Sequence, residues 1–137
     1  MFMFVVLKLF RILCLRFRVL LIKPPMLPKK ARVTRPIFSE ILKGSRVSSS
    51  PFITLRVRLI NGPEQRFSFV VPKSVSKKAV TRNLMKRRGY SVIKKRLAGI
   101  RKGVYCVFFL KKGVEKLKYQ EFEREIEEVM KVGRITT

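Results

Sequence analysis

The chain contains no histidine and no aspartate in its 137 residues. That removes the commonest general base and the usual carboxylate clusters that hold Mg²⁺ for phosphodiester chemistry, and argues against a self-sufficient protein nuclease. Acids of any kind are scarce: 8 against 33 Lys and Arg. Six of them, Glu115, Glu121, Glu123, Glu125, Glu127 and Glu128, fall in the last segment, leaving only Glu40 and Glu64 among the 23 basic residues of 26–112. The cationic surface is therefore concentrated in the middle of the chain. Cysteine is limited to Cys14 and Cys106, which have no metal-ligand spacing and no histidine to complete a zinc site, so no metal centre is expected. Cys106, set in Val-Tyr-Cys-Val-Phe-Phe, reads as a small core residue in a reduced, cytoplasmic protein. Long apolar runs are also missing, because Lys8, Arg11, Arg16 and Arg18 interrupt the Phe- and Leu-rich start well short of the ~20 residues needed to cross a bilayer.

What is present is charge on a foldable chain. A net charge of +25 with 47% hydrophobic residues makes a strong field for polyanions on a sequence too apolar to be a disordered basic tail. One small domain is expected over 26–137, preceded by a basic apolar extension at 1–25. Two readings fit the extension: an amphipathic helix on an anionic membrane surface, or translated upstream sequence with the functional start at Met26. The second is preferred, and no stable membrane association is expected.

The periodicities outline the domain. Pro36 at a first helical turn, an Ile37, Phe38, Ile41, Leu42 stripe and a stop at Gly44 predict a short helix. After a Ser48-Ser49-Ser50-Pro51 loop, Ile53, Leu55, Val57 and Leu59 alternate with Thr54, Arg56 and Arg58, a strand with one buried face that puts both arginines on the other. An Asn61-Gly62-Pro63 turn leads to a strand over 66–71, and an antiparallel hairpin is the simplest pairing. Phe67 and Phe69 point inward, while Arg66 joins Arg56 and Arg58 as a group that either keeps a sheet face soluble or holds phosphates. A long helix is predicted over 76–97, with Gly89 as a weakness of ~1 kcal/mol relative to Ala. The nearly all-apolar run 104–110 predicts a central strand covered on both faces. A last helix over 119–131 carries Phe122, Ile126, Val129 and Met130 opposite its glutamates. The order α-β-β-α-β-α is that of an α+β domain, a mixed sheet of about four strands with helices covering it.

The segment 79–88, Ala-Val-Thr-Arg-Asn-Leu-Met-Lys-Arg-Arg, carries the functional signal. At helical spacing Arg82, Lys86 and Tyr90 stack one turn apart, Asn83 and Arg87 form the neighbouring stripe, and Val80, Leu84, Met85 and Val92 are expected to dock. A fixed row of guanidinium and ammonium groups suits a phosphate backbone. Lining adjacent turns with cations costs repulsion that an anionic partner relieves. The Lys94-Lys95-Arg96 triplet reads equally well as a solvated helix face.

The run Phe69-Val70-Val71-Pro72-Lys73-Ser74-Val75, followed by Lys77-Lys78-Ala79-Val80-Thr81-Arg82-Asn83 and Lys86-Arg87-Arg88, resembles the bacterial ribonuclease P protein component. The likeness spans about 100 residues and includes the arm Met26-Leu27-Pro28-Lys29-Lys30 and the helix with Phe38. The resemblance implies a small two-layer α/β sandwich with a left-handed βαβ crossover. It also implies a noncatalytic subunit that binds the catalytic ribonuclease P RNA and grips the 5′ leader of precursor tRNA, assisting endonucleolytic tRNA 5′ maturation; outside the holoenzyme a monomer is expected. Hydrolysis is then the RNA's, with Mg²⁺ bound there and no cofactor on the protein alone. By position, Arg82, Asn83, Lys86 and Arg87 match the family's RNA-binding helix and Phe38 an aromatic of its leader cleft; the cations Arg88, Lys73 and Lys78 are expected to join the RNA-binding set, and Arg56, Arg58, Arg66 and Tyr90 the cleft. The chain departs from the family pattern at Leu84 and Tyr90, where Arg is common, and at Leu42 and Leu55, where aromatics are frequent.

Overall fold

The computed structural model describes residues 27–136; the extension read at 1–25, the start at Met26 and Cys14 lie outside them. Its regular elements are α1 (Arg35–Lys43), β1 (Arg46–Ser49), β2 (Ile53–Leu59), β3 (Gln65–Val70), α2 (Ala79–Arg96), β4 (Val104–Leu110) and α3 (Tyr119–Val132). Helix α1 begins after Thr34 in extended conformation, carries its proline in the first turn and stops at Gly44, as the sequence predicts. No such pattern announces β1. The serine-rich stretch read as a loop is instead an edge strand, paired antiparallel with β2 from Arg46↔Val57 to Ser49↔Thr54. Its side chains are mostly exposed, so backbone pairing holds it and no hydrophobic alternation marks it. The Ser50 hydroxyl closes the turn, accepting from the Ile53 N–H at 3.1 Å and donating to Glu125 at 2.9 Å.

The expected β2–β3 hairpin is not formed. The sheet order is β1-β2-β4-β3, with β4 antiparallel to β2 and parallel to β3. A strand apolar on both faces needs neighbours on both edges and cover on both sides, so β4 takes the centre and separates the two sequential strands. The 61–63 turn passes under the start of β4. There Gly103, at φ 74°, lies so close that a Cβ would meet the carbonyl oxygens of Gly62 and Ile60 at 2.7 and 2.8 Å; only glycine fits that conformation and that approach.

Helices α2 and α3 cover one face of this mixed sheet, giving the α+β sandwich anticipated. Leu55, Val57, Phe67, Phe69, Cys106 and Phe108 from the strands join Val92 and Ile93 of α2 and Phe122, Ile126, Val129 and Met130 of α3 in the main core. Each large side chain so buried contributes about 1.5–3 kcal/mol, which is what keeps a helix as short as α3 folded. Cys106 is completely buried, and burial pushes its thiol pKa well above the ordinary range. Leu27 also reaches the core, while Arg32 bridges to Phe67 along the outer edge of β3. Helix α1 lies on the opposite face, where Ile41 and Val107 are fully buried apart from the main cluster.

The glycine in the middle of α2 has a packing cause. Phe69 stacks on Phe108 at 4.7 Å between ring centroids and receives Tyr90 edge-on at 5.2 Å. A Cβ on Gly89 would come within 2.5–2.7 Å of the Phe69 ring. Because that ring is held by two others, it has no room to retreat. Gly89→Ala is therefore expected to destabilise the protein by about 1–3 kcal/mol, although alanine improves helix propensity by about 1 kcal/mol. A urea-unfolding midpoint equal to or above that of the parent chain would refute this account of the contact.

Candidate nucleic-acid interface

The Gly89–Phe69 contact also sets which way α2 faces. Met85, Gly89, Val92 and Ile93 turn to the sheet, so Val80 and Leu84, on the far side of the helix at 3.6 residues per turn, point outward. They are 81% and 46% exposed, contrary to the expectation that they dock. Tyr90 is displaced in the other direction. Instead of extending the Arg82–Lys86 row or lining the leader cleft, it is buried in the main core against Phe69. The outward face of α2 thus carries Asn83 and Arg87, both exposed, with Lys86 and Arg88 half-buried at its margins. Lys73, Lys77 and Lys78 are exposed on the approach to it.

These cations have no acidic neighbours. Among the described residues the ion pairs involve only Arg58, Arg66 and Arg96, so none of Lys73, Lys78, Lys86, Arg87 and Arg88 has a carboxylate within 4.0 Å. Arg82 is engaged differently. Its guanidinium donates to the carbonyls of Ser76 and Lys77, both at 2.9 Å, and so ties down the loop entering α2. At the other end of the helix the triplet is not simply solvated. Lys95 lies 5.0 Å above the Tyr119 ring and donates to its hydroxyl at 3.2 Å, a contact that raises the lysine pKa. Arg96 bridges Glu123 and Glu127, pinning α2 to α3.

The sheet face opposite the main core offers a second surface. Strand register arranges its side chains in three rows running across β2, β4 and β3: Arg58–Tyr105–Arg66, Arg56–Val107–Ser68 and Thr54–Phe109–Val70. Helix α1 lies along the middle, above the buried Val107. On one side Phe38 meets Phe109, ring centroids 6.2 Å apart; on the other the Arg58 guanidinium donates to the Glu40 carbonyl at 3.0 Å. The face is therefore divided into two troughs.

In the trough of Thr54, Phe109 and Val70, the Arg56 guanidinium lies 5.9 Å from the Phe109 ring centroid. Val70 ends β3, and the chain leaving it carries Lys73, Lys77 and Lys78 from the edge of this trough to α2. The other trough holds Arg58 and Arg66, each near a carboxylate: Glu40 at 4.0 Å and Glu64 at 3.4 Å. Tyr105 donates its hydroxyl to Glu64 at 2.9 Å, which raises the phenol pKa. The structure thus brings Phe38 and Arg56 together and places Arg58 and Arg66 across α1 from them. Leu55 faces the main core, outside both troughs.

Two residues escaped the sequence reading. Phe109, half-buried at the mouth of the trough, was hidden in an all-apolar strand, although counting parity outward from Cys106 separates it from the core-facing set. Arg32 donates to the Leu27 carbonyl at 2.9 and 3.1 Å and lies 5.4 Å over the Tyr90 ring; nothing local in the sequence signals that clamp. Among the described residues no three histidine, cysteine or acidic side chains gather as a metal site, and no helix is long and apolar enough to cross a membrane.

A cationic helix packed on one face of the sheet and an aromatic trough on the other supply groups suited to phosphates and unpaired bases. The Ribonuclease P family profile matches residues 27–133. The ribonuclease P protein component of Streptococcus pneumoniae (strain Hungary19A-6) is 33% identical over 110 residues, covering 78% of this chain and 83% of the relative. The fold is similar to that of the Staphylococcus aureus RNase P protein, with a TM-score of 0.72 at 18% identity over 80% of this chain and 100% of that one. It is also similar to the Thermotoga maritima RNase P protein, with a TM-score of 0.68 at 20% identity over 77% and 98%. The profile takes in both the strands that build the trough and the helix that carries the unpaired cations, and on that evidence the chain belongs to the ribonuclease P protein family.

Proposed function

We propose that this chain is the protein subunit of a ribonuclease P ribonucleoprotein, binding the catalytic RNA through α2 and the 5′ leader of precursor tRNA through the Phe38–Phe109 trough. The observation that carries this reading is the set of cations on and before α2 that face solvent without a carboxylate partner while the helix beneath them is packed against the sheet. A helix pre-positioned in this way meets a phosphate backbone without first ordering its own main chain, and each phosphate neutralised releases a condensed counterion. Asn83, Lys86, Arg87 and Arg88 contact the RNA subunit, Lys73 and Lys78 extend the contact along the entering loop, and Arg82 holds that loop in place. In the trough the half-buried Phe109 ring offers a surface for an unpaired base, with Arg56 beside it for the adjoining phosphate. Such stacking is worth ~1–3 kcal/mol per base.

In this reading the chain binds and positions, while the bond is broken at Mg²⁺ held by the RNA, which supplies an activated water there. The protein's part is to lower repulsion between two RNAs and to keep the leader extended away from the cleavage site. Outside the ribonucleoprotein it is a monomer, and it acts in the cytoplasm.

Two outcomes follow. Replacing Lys86 and Arg87 with Ala is expected to weaken binding to the ribonuclease P RNA at least tenfold near physiological salt. It should also flatten the plot of log K against log[KCl] by roughly 0.7–0.9 for each phosphate no longer neutralised; a filter-binding titration giving the parent slope would remove α2 from the interface. Reconstituted with the ribonuclease P RNA of its own source, the chain is expected to support accurate precursor-tRNA cleavage at Mg²⁺ concentrations too low for the RNA alone. Purified protein that cuts precursor tRNA without RNA would overturn the assignment of the chemistry to the RNA.

A further inference from the structure

Glu40 and Glu64 are the two acidic residues among the 23 cations of 26–112, and both sit at the trough lined by Arg58, Tyr105 and Arg66. Given that single-stranded RNA crosses this sheet face, as the preceding section proposes, we infer that Glu40 and Glu64 are specificity-determining residues. They close the Arg58–Tyr105–Arg66 trough to phosphates and direct the strand to the Phe38–Phe109 side of α1.

Five of the six glutamates elsewhere serve the fold. Glu115 accepts from the Gly113 N–H at 2.9 Å, Glu121 caps α3 by accepting from the Lys118 N–H at 3.1 Å, Glu125 receives the Ser50 hydroxyl, and Glu123 and Glu127 anchor Arg96. Glu40 and Glu64 are different. Their side chains are 57% and 54% exposed, and exposed pairs of this kind contribute little to stability. Their effect on a ligand is larger. The Glu64 carboxylate occupies the Arg66 Nε donor at 3.4 Å, a group a phosphate would use, and additionally takes the Tyr105 hydroxyl, the remaining donor of that row, while the Glu40 carboxylate, 4.0 Å from the Arg58 guanidinium, sets a negative charge beside it. Both are acceptor-only anions that repel a second anion. Across α1 no carboxylate lies within 4.0 Å of Arg56. Two arginine-bearing troughs on one sheet face would otherwise compete for the same strand. With two arginines matched by two glutamates on one side and an unmatched arginine beside an aromatic on the other, only one trough attracts a phosphodiester chain.

The test is the salt dependence of binding of a fluorescent oligouridylate to the full chain, measured by anisotropy. The Glu40→Gln/Glu64→Gln variant is expected to bind more tightly at low salt, by about threefold or more, and to steepen the log K against log[KCl] slope by roughly 0.7 per newly contacted phosphate. A control of equal charge, Glu121→Gln/Glu128→Gln on α3, where glutamine preserves the cap, is expected to leave the slope unchanged. A slope in the Glu40/Glu64 variant equal to the parent's, or the same steepening in the control, would overturn the inference. In the holoenzyme the variant should also lose part of the preference for precursor over mature tRNA. A parent holoenzyme with no such preference would count against leader binding itself, whereas a preference untouched by the variant, with an unchanged slope, would count against the charge-sorting role alone.

Discussion

The cationic surface of the proposed assembly depends on one contact inside the protein, the Phe69 ring lying against the bare backbone of Gly89. Stacked on Phe108 and met edge-on by Tyr90, Phe69 fixes both the distance and the rotation of α2. The rotation decides function. A helix turned by one residue, about 100°, would carry Arg87 toward the margin of the sheet and Gly89 away from the ring that requires it. The cost in helix propensity at Gly89 is thus the cost of an oriented cationic surface.

Charge is sorted by the same scaffold. Six glutamates belong to α3 and the loop before it, where most of them hold caps, turns and Arg96. The two left in the basic middle lie over one side of the second sheet face. The protein is therefore not uniformly positive in any sense that matters to a ligand. It has a helix whose cations lack counter-ions, a trough where one arginine adjoins an aromatic, and a trough where arginines are already matched. Long-range attraction brings RNA to the molecule, while the local arrangement decides where it can lie.

Much of this was legible in the residues. The period-two alternation of 53–59 placed Arg56 and Arg58 on the non-core face, the apolar run 104–110 identified the central strand, and the 79–88 motif located the cationic helix. Three things were not legible, each for a physical reason. Strand β1 is held by backbone hydrogen bonds that any residue can make, so Ser48 and Ser49 carried no signal. The pairing of β2 with β4 rather than β3 follows from where a doubly apolar strand must sit, a global constraint invisible to a turn such as Asn61-Gly62-Pro63. And the inward turn of Tyr90, with Val80 and Leu84 facing out, depends on a single tertiary contact that helical periodicity alone does not register. The division of Arg56 from Arg58 is likewise the effect of α1, which crosses the sheet between them.

The position of β4 has a consequence for how the chain reaches this state. The strand that occupies the middle of the sheet is the last of the four to be synthesised, and it pairs with residues as distant as Ile53, its partner at Leu110. Until it arrives, the β1–β2 hairpin and β3 present two open edges with a vacant slot between them, and no sheet exists for α2 to rest on. Assembly is therefore non-local by construction and correspondingly slow. On the ribosome the cationic helix emerges before the strand that completes its platform, so the RNA-facing surface is finished only when the sequence's most apolar strand has been threaded into place.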